Sequence, residues 1–247
     1  KRAAMEKEKE KEKAALEAQS TKVEEEPKKP YGFIAVSIGE GFGEIFRGIG
    51  ADYLIEGGQT MNPSTEDMLK AIERVNAENI FILPNNKNII MAAQQARDLT
   101  EDKNIIVIPS RTVPQGITAL VNFMPDLGPE ENTRTMTEEM GNVRTAQITY
   151  AVRTTNIDGI DIEEGDIMAL GDHGILAVGK SVDGVALEAM KEMLDDESEL
   201  VTIYYGADVS EHEAKVLEEQ AQEQYPDKEI ELQYGGQPIY YYLISVE

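Results

Sequence analysis

From Tyr31 onward the chain repeats one pattern: a short run of apolar residues, a polar turn, then an apolar stripe at helical spacing. The runs are Phe33-Ile34-Ala35-Val36, Tyr53-Leu54-Ile55, Ile80-Phe81-Ile82-Leu83 and Ile105-Ile106-Val107-Ile108. Between them stand Ile45, Phe46 and Ile49, then Met68, Leu69, Ile72 and Val75, then Ile89, Ile90, Ala93 and Ala96. Strands apolar on both sides, alternating with helices, are satisfied by βαβ units, in which helices cover both faces of a parallel sheet. The pattern predicts an α/β domain over residues 30–127.

The remainder reads differently. Residues 128–144 are polar, with Met136 and Met140 as the main apolar positions, and predict a connecting helix. A second α/β subdomain with a mixed sheet is expected over 145–247. Ile148, Tyr150 and Val152 alternate as in a half-solvated antiparallel strand. Residues 166–170 and 175–178 form a hairpin pattern around Asp172-His173-Gly174. Val185–Leu194 reads as a helix and Leu200–Tyr205 as a strand. Ser210 and Glu213 have the spacing of a capping box. Ile230–Leu232 and Ile239–Ile244 complete the sheet, so that Tyr240, Tyr241 and Tyr242 alternate across its two faces.

Residues 1–29 contain the alternating run Glu6–Lys13 and then Pro27, with Pro30 just beyond, and read as a charged linker, flexible or helical. The chain opens at Lys1 without an initiator Met, which suggests a fragment tethered to an upstream domain. The linker holds nine basic and eight acidic residues, so the remaining 14 basic and 39 acidic residues carry −25 against a chain total of −24. A body so acidic repels phosphate backbones and anionic membranes and disfavours nucleic-acid binding. No apolar run reaches the roughly 18 residues of a membrane span, and the first 30 residues lack the apolar core of a secretory signal. With no Cys, disulfides and zinc thiolates are excluded and a cytoplasmic setting is expected.

Candidate chemistry lies in the turns that follow the strands. Gly57–Thr65 presents Gln59, Thr60, Asn62 and Ser64 where a strand hands over to a helix. Such turns bind anions or polar groups in open α/β sheets. A tight connection shaped by Gly57, Gly58 and Pro63 is the plainer alternative. Asn85, Asn86 and Lys87 follow the third strand and Arg111 the fourth. In a parallel sheet all three turns share one edge. Gly39-Glu40-Gly41-Phe42-Gly43 has the wrong spacing for a dinucleotide loop, and its glycines suit close backbone packing. His173 and His212 read as surface residues. No nucleophile stands with a base, and no carboxylate cluster has metal spacing, so neither a catalytic nor a metal site is expected in this stretch.

Three motifs carry a resemblance: residues 50–65 (Gly-Ala-Asp-Tyr-Leu-Ile-Glu-Gly-Gly-Gln-Thr-Met-Asn-Pro-Ser-Thr), 83–89 (Leu-Pro-Asn-Asn-Lys-Asn-Ile) and 108–116 (Ile-Pro-Ser-Arg-Thr-Val-Pro-Gln-Gly). Together they resemble the C-terminal region of the catalytic subunit of bacterial fatty acid kinase, a relative of dihydroxyacetone kinase and a DhaL-domain protein. The resemblance covers residues 31–247. It implies that ATP and magnesium belong to an N-terminal domain absent here, and that no cofactor binds this stretch. It also implies contact with the upstream kinase and middle domains, and a separate DegV-type fatty acid-binding protein as partner. A weaker resemblance to the DegV-type proteins themselves implies their fold. In it, residues 59–66 stand where those proteins have Thr-Ser-Gln-Pro-Ser, and 85–93 where they have a Ser-Gly-Thr segment. This sequence departs from that pattern, with Asn-Ile-Ile replacing Ser-Gly-Thr. The function expected is therefore docking of the acyl-loaded binding protein, with a DegV-like module for a small anion or fatty acid as the alternative.

Overall fold

The computed structural model describes Glu10, residues 26–58 and residues 61–247. The charged-linker expectation for 1–29 falls almost entirely outside the described residues, as do Gln59 and Thr60.

The first half is built on β1 (Lys29–Ser37), β2 (Tyr53–Glu56), β3 (Ala77–Leu83) and β4 (Asn104–Val107), all parallel, in the order β2-β1-β3-β4. Its helices are α1 (Glu40–Gly48), α2 (Thr65–Arg74), α3 (Ile90–Leu99), α4 (Val113–Val121) and α5 (Pro129–Met140). Helices α2 and α3 cover one face through Met68, Ala71, Ile72, Ala93 and Ala96, packed on Ile34, Val36, Ile80 and Ile82. Helices α1, α4 and α5 cover the other through Phe46, Ala119, Leu120, Met136 and Met140, packed on Phe33, Ala35, Phe81 and Leu83. Alternate residues of β1 and β3 thus enter different cores, which is why these strands are apolar throughout. Helix α4 escaped the sequence reading, although Thr112 caps it and Pro114 sits in its first turn, both recognised start signals.

The second half is a six-stranded mixed sheet, β11-β10-β12-β5-β8-β9. Its strands are β5 (Arg144–Tyr150), β8 (Ile167–Leu170), β9 (Ile175–Gly179), β10 (Leu200–Tyr205), β11 (Glu229–Tyr234) and β12 (Tyr242–Val246). Strands β6 (Thr155–Ile157) and β7 (Ile160–Ile162) form a separate small hairpin. Helices α6 (Val182–Met193) and α7 (Glu211–Gln224) close the sheet's outer face. Its inner face meets α1 and α4 where Phe42 packs against Tyr204 and Leu243, with Val113 and Ile117 alongside. The layers therefore run helix, parallel sheet, helix, mixed sheet, helix.

Two expectations change here. Strand β5 is not half-solvated: it lies between β12 and β8, and Thr145, Ala146, Ile148 and Thr149 are all buried. Its second face is covered by the first half of the molecule, which alternation within one strand cannot report. The last strand begins at Tyr242 rather than Ile239, because Ile239 adopts φ 70° and breaks the extended chain. Tyr242 consequently enters the outer core while Tyr240 packs into the inner cluster. Helix α7 is capped at Ser210, whose hydroxyl accepts the Glu213 N–H, whereas the reciprocal capping box forms at Ser64 and Asp67.

A candidate functional site at the sheet switch point

Chain connections leave β1 toward β2 on one side and return past it to β3 on the other. Open α/β sheets of this order place ligands in the crevice between the carboxyl ends of β1 and β3. Here Val36 and Ile38 come from the end of β1, and Pro84, Asn85 and Asn86 from the end of β3. Together with Gly57 and Gly58 they line a cavity of about 30 Å³. Phe42, Val113, Gln147, Gln237 and Leu243 close it from the opposite side. Gln147 and Gln237 were not foreseen. They belong to the second half, and no local pattern ties them to the strand ends of the first.

Asn85 is the knot of this edge. Its φ is 57°, a left-handed conformation that Asn tolerates better than most side chains. Its Nδ2 donates to the Val36 carbonyl at 2.8 Å, its Oδ1 accepts from the Ser110 hydroxyl at 2.7 Å, and its own N–H donates to that hydroxyl oxygen at 3.0 Å. The ends of β1, β3 and β4 are thereby tied together by one buried amide. A Cβ on Gly116 would lie 1.9 Å from Asn85 Oδ1, so α4 can approach only because that residue is Gly.

The other predicted residues separate. Gly58 and Met61 exchange two backbone hydrogen bonds. Ser64 accepts the Asp67 N–H at 3.1 Å, and its own N–H donates to the Asp67 carboxylate at 2.8 Å. The Ser64 N–H, and then the Ser64 hydroxyl donating at 3.0 Å, hold the Asp67 carboxyl below its ordinary value. Asn62 and Lys87 are exposed. Asn86 turns back to accept the Asn88 N–H. Arg111 is exposed, and its N–H donates to Gln115 Oε1. Of the described candidates, the structure brings only Asn85 and Asn86 to the cavity, while Asn62, Ser64, Lys87 and Arg111 are not part of its lining.

Below Arg111 the two halves are joined by polar contacts. The Thr112 and Thr145 hydroxyls lie 3.0 Å apart, and the Thr145 N–H donates to Asp172 at 3.1 Å. Burial raises the pKa of Asp172 against the opposing pull of that hydrogen bond and of His173, Arg111 and Arg144.

The arrangement can hold something small and polar. An acyl chain needs a pocket in the usual range of roughly 300–1,000 Å³, far above this cavity. At the Gly39–Gly43 turn a Cβ on Gly41 would lie 1.9 Å from the Tyr234 carbonyl oxygen, so that glycine serves close backbone packing, while Gly39, Glu40 and Gly43 line an open depression of about 570 Å³ together with Arg47 and Glu56. Among the described residues no group of His, Asp and Glu is arranged to hold a metal ion, and no helix is long and apolar enough to cross a membrane.

The fold is that of DegV-family proteins. DegV of Bacillus subtilis, a fatty acid-binding protein, superposes with a TM-score of 0.61 at 13% identity, over 88% of this chain and 98% of that one. The fatty acid kinase (Fak) B3 protein of Streptococcus pneumoniae, loaded with linoleic acid, gives 0.59 at 13% identity over 88% and 99%. At this identity the likeness establishes architecture alone. The sequence is more specific: the FakA-like C-terminal family of fatty acid kinase matches residues 32–247, and the chain belongs to it. Protein YloV of Bacillus subtilis is 46% identical over 220 residues, covering 89% of this chain and 40% of YloV. The chain thus spans about two fifths of the length of the curated relatives it matches.

Proposed function

We propose that this chain is the non-catalytic C-terminal part of a two-component fatty acid kinase. It docks a DegV-type fatty acid-binding protein and presents that protein's acyl carboxylate to an ATP- and magnesium-binding domain elsewhere in the kinase. The observation that carries this reading is the filled crevice. The fold belongs to a class with fatty acid-binding members, yet its switch-point cavity, walled by Gln237, Phe42 and Leu243, encloses only about 30 Å³, and the open depression of about 570 Å³ beside it carries Glu40, Glu56 and Arg47 in its wall. Such a scaffold is suited to recognition rather than to enclosing an acyl chain. Catalysis then consists of positioning, with phosphate electrostatics supplied by the nucleotide domain.

The docking surface in this reading is formed by the polar turns that follow the strands, with Asn62, Ser64, Lys87 and Arg111 exposed and Gln59 and Thr60 included from the sequence motif. Lys87 and Arg111 are exposed cations on a strongly acidic body, and they mark where an acidic element of the partner would find complementary charge. Calorimetric titration of this chain with an acyl-loaded DegV-type protein in low salt tests the proposal. Binding is expected, and the double variant Lys87→Glu, Arg111→Glu is expected to weaken it about tenfold or more. Absence of heat and of co-elution with the unaltered chain would sink the docking reading. A native-state melting point raised by a fatty acid alone would favour the DegV-like lipid-binding alternative.

A further inference from the structure

The loop between α4 and α5 is apolar, exposed and held in one shape. Residues 121–127 read Val-Asn-Phe-Met-Pro-Asp-Leu, with Asp126 their single charge. Val121 and Met124 are each 56% exposed, and Pro125 is exposed beside them. Exposed apolar side chains are ordinary when they stand singly, but here two anchors fix the backbone that carries them. Phe123 turns inward and meets the rings of Tyr31, Phe33 and Phe81 at 4.9, 4.7 and 5.8 Å. Asn132, on α5, is fully buried and commits its whole amide to this loop. Its Oδ1 accepts the Met124 N–H at 2.8 Å, and its Nδ2 donates to the carbonyls of Met124 at 2.8 Å, Leu127 at 3.0 Å and Gly128 at 3.3 Å. A loop ordered in advance loses little conformational freedom when its apolar side chains are covered, which favours recognition.

The first strand begins beside this loop. The Tyr31 hydroxyl, near the amino end of β1, donates to the Leu127 carbonyl at 2.9 Å. The family to which the chain belongs is a C-terminal one, and the match covers only 40% of YloV. In such relatives most of the protein therefore joins this fold through the residues that precede β1. A few apolar side chains fall far short of the roughly 800 Å² per partner that a free-standing complex buries. They suffice for a tethered neighbour, whose effective concentration at the loop is on the order of millimolar. The amino end of β1 also lies opposite the carboxyl ends that form the switch point, so a neighbour seated here leaves the turns after the strands free.

We propose that the Val121–Leu127 loop is the seat of the part of the longer protein that precedes β1, which covers Val121 and Met124 with an apolar surface of its own. The inference rests on the family membership and not on the docking reading, and its test contains no DegV-type protein. The longer natural protein is treated with dilute hydrogen peroxide, and conversion of each Met to its sulfoxide is followed by peptide mass spectrometry. Met61 and Met91, 48% and 67% exposed and remote from the loop in sequence, serve as references. Oxidation follows exposure, so a loop covered about nine-tenths of the time is expected to oxidise at Met124 roughly tenfold more slowly than the references. Val121→Asp, which leaves Met124 in place, is expected to bring the rates together. If that variant fails to fold, Val121→Ser supplies the comparison. Equal rates at Met124 and the references in the unaltered protein overturn the proposal. Protection that fades on dilution also overturns it and assigns the loop to a second copy. Protection undiminished in the folded variant overturns it as well.

Discussion

The two faces of the six-stranded sheet are built in opposite ways. The outer face, under α6 and α7, gathers nineteen buried apolar residues among those described, from Ala146 to Val246. The inner face, against α1 and α4, gathers three: Phe42, Tyr204 and Leu243. What fills the rest of the seam is polar: Thr112 against Thr145, Thr149 on the Ile239 carbonyl, Gln237 on the Tyr204 carbonyl, and a small cavity. The outer face is a core and the inner face is a joint. Close packing makes a core rigid, while hydrogen bonds and a polar cavity hold a joint in register with less apolar burial to resist opening.

Adjacent residues on β12 test this difference most strongly. Ile244 points into the outer core and Leu243 into the seam. Ile244→Ala should cost about 2–5 kcal/mol, the range for a buried aliphatic truncation. Leu243→Ala should fall at or below the bottom of that range, because its side chain already borders empty space. Urea denaturation with unchanged slope reads both. Equal costs would mean that the seam is packed like the core, and the contrast would be lost.

The seam's close backbone contact gives the next effect. A Cβ on Gly41 would meet the Tyr234 carbonyl oxygen at 1.9 Å, and only main-chain movement relieves that. Gly41→Ala is expected to cost about 1–3 kcal/mol and to increase proteolysis in the Gly235–Tyr241 strap. Gly43, two residues along the same helix, first meets the flexible Arg47 guanidinium at 3.5 Å. Gly43→Ala should instead stabilise by roughly 0.5–1 kcal/mol through helix propensity. The same substitution two residues apart thus carries opposite signs, and thermal melts that show the same sign for both would contradict the packing described.

This contrast also explains what the sequence could reveal. β1 to β4 were legible because each strand is apolar on both faces and each helix carries its own stripe, so local pattern and tertiary role agree. The shared edge after β2, β3 and β4 followed from parallel topology alone, and Asn85 lies on it. Gln147 and Gln237 were not, since each reaches the cavity through pairing with partners far along the chain, and a lone Gln has no periodic signature. Ile239 reads as strand because it is β-branched beside three tyrosines, but the joint holds it at positive φ. Local propensity gives way to tertiary constraint at the seam, where the candidate site lies.

A smaller effect lies at the rim of the site. Ser64 both accepts from and donates to Asp67, so Ser64→Ala removes a helix cap, at about 1 kcal/mol. Amide hydrogen exchange should quicken in the first turn of α2 and leave β12 unaffected. Faster exchange in β12 would show that the Gly57–Thr65 turn is coupled to the joint rather than to its own helix.

The smallest effect separates the two regions by the sign of a pH dependence. Asp166, at the start of the outer hairpin, is held below its ordinary value of 3.8 by its hydrogen bond from Lys180 and then by the Glu163 N–H. Its stabilisation is present above about pH 4 and fades as pH falls through its lower folded pKa, because the unfolded chain then binds more protons. Asp172, on the seam, is shifted upward by burial. The folded chain keeps that proton to higher pH than the unfolded chain does, so its contribution declines as pH rises through the folded pKa. Asp166→Asn should therefore lower the melting point at neutral pH, with a difference that shrinks as pH falls through the lowered folded pKa. Asp172→Asn keeps an acceptor for the Thr145 N–H and should raise the melting point at neutral pH, again converging with the parent in acid. Melting curves of both variants across that range decide the matter: shifts of the same sign at neutral pH would mean that the joint carries its charge as comfortably as the hairpin does.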